Sequence, residues 1–116
     1  MINKKEEHMP EAADNATLIF TNNESGVWKQ ESGVMSPPLR QLRRYLGRYV
    51  RVDLIGDLSA FGLFVRVDYT ANLVLRHCAI YKGQDMSAVK PRDVNPTELK
   101  GKDIVSVFLC SKNCAY

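Results

Sequence analysis

The stretch Val50–Leu75, VRVDLIGDLSAFGLFVRVDYTANLVL, decides how this chain is read. It opens on a polar/apolar alternation: Val50, Val52 and Leu54 share one face and Arg51 and Asp53 the other, the period of a half-buried strand. Ile55, Gly56 and Asp57 supply a turn. A second strand is predicted over Leu58–Val67 with Gly62 at its middle, where a missing side chain lets a strand bend sharply, as small closed barrels require. The stretch closes on Asp68 and, four positions later, Asn72. From about Asn72 to Ile80 the spacing predicts a third strand.

Upstream, SPPLRQLRRYLG carries helix signals: Ser36 as N-cap, Pro37 at the first helical position, Leu39, Leu42 and Leu46 spaced by three and four, and Gly47 as the stop. A short amphipathic helix is expected, with Arg40, Arg43 and Arg44 on its other face, followed by Arg48. That arginine face reads either as a solvated surface or as a contact for an RNA backbone. Downstream, YKGQDMSAVKPRDVNPTE is loop-like, with two prolines and little alternation, and RDVNPTE leaves a fourth strand short or irregular. A last strand, apolar on both faces, is predicted over Ile104–Leu109. The expected fold is mainly β: a short N-terminal helix, then a strongly bent antiparallel sheet of five strands closing into a small barrel.

At 116 residues, 45% hydrophobic and 25% charged, the chain has room for one domain but not two cores. We expect an acidic, largely flexible extension over 1–35, a compact domain over 36–110 and a short tail over 111–116. Within the extension, the apolar patch Ala16–Phe20 and the segment Gly26–Lys29 suit a hairpin or a strand added to a neighbour. Residues 1–36 hold three basic and six acidic residues, so the other 13 basic and 7 acidic residues fall in the compact part. A basic domain favours polyanions through counterion release, although a merely soluble surface accounts for the charge equally well. No apolar run is long enough to span a bilayer, and the opening MINKKEEHMPEAADN has no apolar h-region, so a nuclear or cytosolic address is expected.

Cys78, Cys110 and Cys114 are odd in number and lack CxxC spacing, which reads as reduced thiols rather than a disulfide framework or a zinc site. His77 and Cys78, adjacent on a strand, point to opposite faces and do not converge on an ion. No Ser/His/Asp or Cys/His set presents itself. No catalytic residue, metal or cofactor is expected, and the chain reads as a protein that is not an enzyme.

These elements, taken in order, resemble the Sm and Sm-like (Lsm) family. The first motif of that family matches Val50, Val52 and Leu54, then Gly62, Val67, Asp68, Asn72, Leu73 and Leu75; the second matches Leu99, Lys100, Gly101, Ile104, Val105 and Val107 within LKGKDIVSV. With the preceding helix the match covers roughly 36–109. The turn LIGDLSAFG is similar to that of the Sm D-one and second-Lsm branch. The resemblance implies an SH3-like small barrel in which Gly62 is the hinge and the Asp68–Asn72 and Lys100–Gly101 loops meet at the central hole of a ring. It implies RNA contact by Asp68, Thr70, Asn72, Lys100, Gly101 and Lys102, with uracil the preferred base: an Asn amide offers donor and acceptor to a base edge and a neighbouring Asp orients it. It implies ring assembly through the last strand, with Ile104, Val105, Val107 and Leu109 at the subunit interface, because an unpaired apolar edge is a template for another chain.

Thr70 stands where many members of the family place a stacking aromatic or His, and Lys100 where Arg is commoner; both weaken base stacking. Three functions compete. The first is a non-catalytic subunit of a heteroheptameric ring that holds uridine-rich small nuclear RNA for pre-mRNA splicing, with messenger decay as a variant, and with the other Sm or Lsm chains as partners. The second is an Sm-like module that binds only proteins, as an assembly factor or the small auxiliary subunit of an N-terminal acetyltransferase. In that case Asp68 and Asn72 merely cap a tight turn. The third, an OB fold, requires aromatics aligned on a strand face, which Tyr45, Tyr49 and Tyr69 do not provide.

Overall fold

A computed structural model describes residues 16–22 and 35–110. Seven antiparallel strands form one strongly bent, unclosed sheet: β1 (Thr17–Thr21), β2 (Tyr49–Leu54), β3 (Leu58–Val67), β4 (Leu73–Lys82), β5 (Ser87–Asp93), β6 (Thr97–Leu99) and β7 (Ile104–Leu109). Their order is β1-β7-β2-β3-β4-β5, and β6 pairs with the first half of β4 beside β5. The five strands expected are therefore seven, for two reasons.

The stretch expected as a loop is a strand broken in two. Lys90 Nζ donates to the Cys78 carbonyl (3.0 Å) and Arg92 Nη1 to the His77 carbonyl, so long basic side chains fasten β5 to β4 where the pattern lacks apolar alternation. Val94, Asn95 and Pro96 interrupt it. The second reason is β1. It forms from the Ala16–Phe20 patch and lies along β7 of its own chain. Gly26–Lys29 falls outside the described residues. Because β7 also pairs with β2, the last strand is not the open edge that the resemblance implied. Ile104 and Val107 point into the core, Leu109 is half-buried against it and Val105 faces outward.

Short-range signals hold well elsewhere. β3 and β7 run over the residues the sequence marked. The β2–β3 turn keeps Gly56 and Asp57 at φ +84° and +64°, the left-handed conformation that Gly and Asp tolerate. At Gly62 the β3–β4 register slips, and a Cβ would sit 2.9 Å from the Arg76 carbonyl oxygen and 3.1 Å from the Leu75 Cβ. Glycine is thus required for close approach as well as for bending.

The helix α1 spans only Pro37–Leu42 and tightens into a 3₁₀ turn over Arg43–Tyr45. Ser36 occupies the N-cap position, yet its hydroxyl makes no capping bond; its carbonyl accepts from the Leu39 and Arg40 N–H groups instead. Leu39 and Leu42 are fully buried, whereas Leu46 lies past the helix and is 39% exposed, because the 3₁₀ turn rotates it off the apolar stripe. Gly47, at φ +89°, ends the segment.

The core gathers Phe20, Leu39, Leu42, Val50, Val52, Phe64, Leu73, Leu75, Cys78, Leu99, Ile104 and Val107. A smaller cluster holds Phe61 and Cys110 with Tyr49, Tyr81 and Met86 packed on them. Cys78 is the free cysteine among the described residues, and Cys110 is disulfide-bonded. The expectation of three reduced thiols is corrected: an odd cysteine count limits the number of pairs and does not forbid one. Among the described residues no helix is long and apolar enough to cross a membrane, and no group of His, Cys, Asp and Glu has the makings of a metal site.

Candidate functional site

The turn between β3 and β4 is organised by one carboxylate. Asp68 Oδ1 accepts from the Thr70 N–H (2.9 Å), the Thr70 hydroxyl (2.9 Å) and the Asn72 N–H (3.0 Å). Oδ2 accepts from Asn72 Nδ2 at 3.0 Å. The Ala71 N–H donates to the Asp68 carbonyl, which leaves Ala71 buried at φ +68°. Burial pushes the Asp68 carboxyl up, but the bonds from Asn72 and Thr70 outweigh it and hold the group below its usual value.

Asn72 ties this turn to the one that precedes β7. Its Oδ1 accepts the Gly101 N–H at 2.7 Å, and the second hydrogen of Nδ2 goes to Thr70 Oγ1 at 3.0 Å. Since only oxygen answers the Gly101 N–H, the amide orientation follows. A Cβ at Gly101 would collide with the Thr70 carbonyl oxygen and lie 3.0 Å from the Ala71 carbonyl carbon, so the approach of the two turns requires glycine.

The structure therefore brings Asp68, Thr70, Asn72 and Gly101 into one network. Lys100 and Lys102 flank it and are exposed. Lys100 Nζ lies 3.2 Å from Glu98, an exposed pair of little energetic weight, and among the described residues no ion pair involves Lys102. Tyr69 is 40% exposed and takes no part in the network. Beside Lys100 a hollow of about 250 Å³ is lined by Leu54, Ile55, Leu58, Glu98, Leu99, Lys100 and Asp103.

Arg40, Arg43 and Arg44 form a separate exposed surface around two shallow hollows. Arg40 donates to the Met35 carbonyl, and no acidic side chain among the described residues pairs with the three. No hydrogen bond links this surface to the Asp68–Gly101 network.

The sequence reading missed Asn22. Its Nδ2 donates to the carbonyls of Gly101 (3.0 Å) and Ile104 (3.1 Å), so β1 ends on the same glycine that Asn72 holds. An Asn just past a short apolar run was the available signal, and it looks like any turn residue.

Chemically, the Asn72 amide has both donors engaged and one acceptor lone pair left. A uracil edge, with its own donor and acceptor, asks for more.

The bent sheet, its glycine hinge and the two joined turns define an Sm-like fold. The solved structure of a Pyrococcus abyssii Sm protein in complex with a uridine heptamer is similar at a TM-score of 0.54 and 22% identity, over 64% of this chain and 99% of that one. A structure of the NatC complex bound to CoA contains a chain similar at 0.50 and 21%, over 60% of this chain and 84% of that one. In sequence, the chain is 28% identical over 103 residues to the Drosophila melanogaster protein N-alpha-acetyltransferase 38, NatC auxiliary subunit, spanning 87% of this chain and 81% of that protein. No family model matches.

Proposed function

We propose that this chain is a non-catalytic Sm-like subunit that binds proteins, serving as an auxiliary component of an N-terminal acetyltransferase of the NatC kind. The observation that carries this reading is that both donors of the Asn72 amide are engaged. With Nδ2 held by Asp68 and Thr70 and Oδ1 by Gly101, the amide works as a strut between two turns rather than as a reader of bases. Similarity to the Drosophila auxiliary subunit along most of both chains supports it, as does the pairing of β7 inside the monomer. The test is co-expression with the other NatC subunits. A stable complex whose N-terminal acetylation falls when this chain is omitted is the expected result; failure to co-purify overturns the reading.

A second reading is favoured by the meeting of Asp68, Thr70, Asn72 and Gly101 between exposed Lys100 and Lys102. It is a nuclear ring subunit of the Sm D-one or second-Lsm kind that holds uridine-rich RNA for splicing or messenger decay, with Arg40, Arg43 and Arg44 on the RNA backbone. Its signature is preference for oligouridine over oligocytidine at two salt concentrations, lost in Asn72→Ala and weakened evenly in Lys102→Ala. Binding that is salt-sensitive without base preference reflects charge alone.

A further inference from the structure

β7 is flanked by β2 on one side and β1 on the other, so strand addition at this edge requires β1 to leave. The hold of β1 has two parts. Thr17, Leu18, Phe20 and Thr21 stand opposite Leu109, Phe108, Val107 and Ser106, and Phe20 is 4% exposed in the main core. Past the strand, the Asn22 N–H donates to the Val105 carbonyl (3.0 Å) while its amide bridges the Gly101 and Ile104 carbonyls.

Several features make this hold light. Phe20 is the one fully buried side chain of the five in β1. The ladder is broken by a bulge between Leu18 and Phe20, Leu18 is 53% exposed, and among the described residues β1 has no strand on its outer side. Among those residues Asn22 Oδ1 is buried without a partner. Short edge strands with few buried contacts open at low free energy.

We propose that the β7 edge is a strand-binding site whose resident occupant is Thr17–Asn22. It accepts from another polypeptide an extended segment that carries an aromatic side chain in the Phe20 place and, two residues on, a carboxamide in the Asn22 place. Backbone pairing along β7 gives affinity, while the ring pocket and the Gly101 and Ile104 carbonyls give specificity. With β1 seated, this edge is closed to neighbours, and a closed head-to-tail ring needs two open edges in every subunit.

The site is tested in the full chain with a fluorescein-labelled peptide of residues 14–24 as probe. Asn22→Ala weakens the resident strand but keeps its ring in place; it is expected to bind the probe about tenfold more tightly than the unaltered chain, because a larger fraction of the site stands open. A chain with Leu18→Cys and Phe108→Cys, oxidised across β1 and β7, is expected to bind no probe and to regain binding on reduction. Probes with Phe20→Ala or Asn22→Ala are expected to bind about tenfold more weakly to the Asn22→Ala chain. Near-ultraviolet circular dichroism confirms that each variant is folded. Equal binding by locked and unlocked chains, absence of binding to the folded Asn22→Ala chain, or a full chain that by light scattering is a ring or a dimer exchanging β1 would each overturn the proposal.

Discussion

Gly101 makes two hydrogen bonds to distant parts of the chain: its N–H goes to Asn72 and its carbonyl accepts from Asn22. Replacing it by alanine forces a methyl group onto the Thr70 carbonyl, so the two turns must separate. Gly101→Ala is expected to destabilise the fold by about 1–3 kcal/mol, the usual range for overpacking, read as a lowered Tm. Asp68 makes a pH prediction. Because its folded-state value is lowered, the stability it contributes is complete above the unfolded-state value, about 3.9, and fades as pH falls through the lower folded value. The stability difference between the unaltered chain and Asp68→Asn, measured by urea unfolding, is therefore expected to be constant from about pH 5 upward and to shrink below about pH 4. The residue types at this site were plain in the sequence, since Asp, Thr, Asn and Gly at these spacings advertise a turn. That the Asn72 carbonyl oxygen would take the Gly101 N–H was not, because the two turns meet only when β4, β6 and β7 are assembled.

At the scale of elements, β1 and the broken β5–β6 strand explain where pattern reading succeeded and failed. β2 shows alternation because it has one face against the core, whereas β3 and β7, located to the residue, were marked by apolar runs between turn signals. β5 has no such alternation: five of its seven side chains are exposed and the other two half-buried, and hydrogen bonds from Lys90 and Arg92 to β4 do the fastening. Four to seven apolar residues in a polar leader specify a strand without specifying where it docks. For a core ring, truncation to alanine costs about 3–5 kcal/mol. For Phe20→Ala a smaller loss of about 2 kcal/mol is expected, since β1 undocks once its ring is gone and the penalty stops at its docking energy. Hydrogen exchange checks this: β7 amides that face β1 should lose protection while those paired with β2 keep it.

Across the whole molecule, the main core runs from α1 over β1, β7, β2, β3, β4 and β6, and Cys78 sits in it with no exposed surface. Burial pushes its thiol up, against the smaller opposing influence of Lys90, Thr97 and Arg92. Its alkylation is accordingly expected to track global unfolding across a denaturant series, with no faster reaction in the native range. What the sequence by itself determined is local: strand period, the bend at Gly62, the helix start at Pro37, the stop at Gly47 and the chemistry of the two turns. Those properties depend on neighbours a few residues apart, and the order of the motifs was enough to indicate an Sm-like fold. What only the tertiary structure decided is which backbone edges and which amide hydrogens stay free. β1 and β7 are separated by more than eighty positions, as are Asn22 and Ile104 by 82, and contacts over such distances leave no periodic trace in the chain. An edge strand and the strand that covers it look alike until the sheet is built.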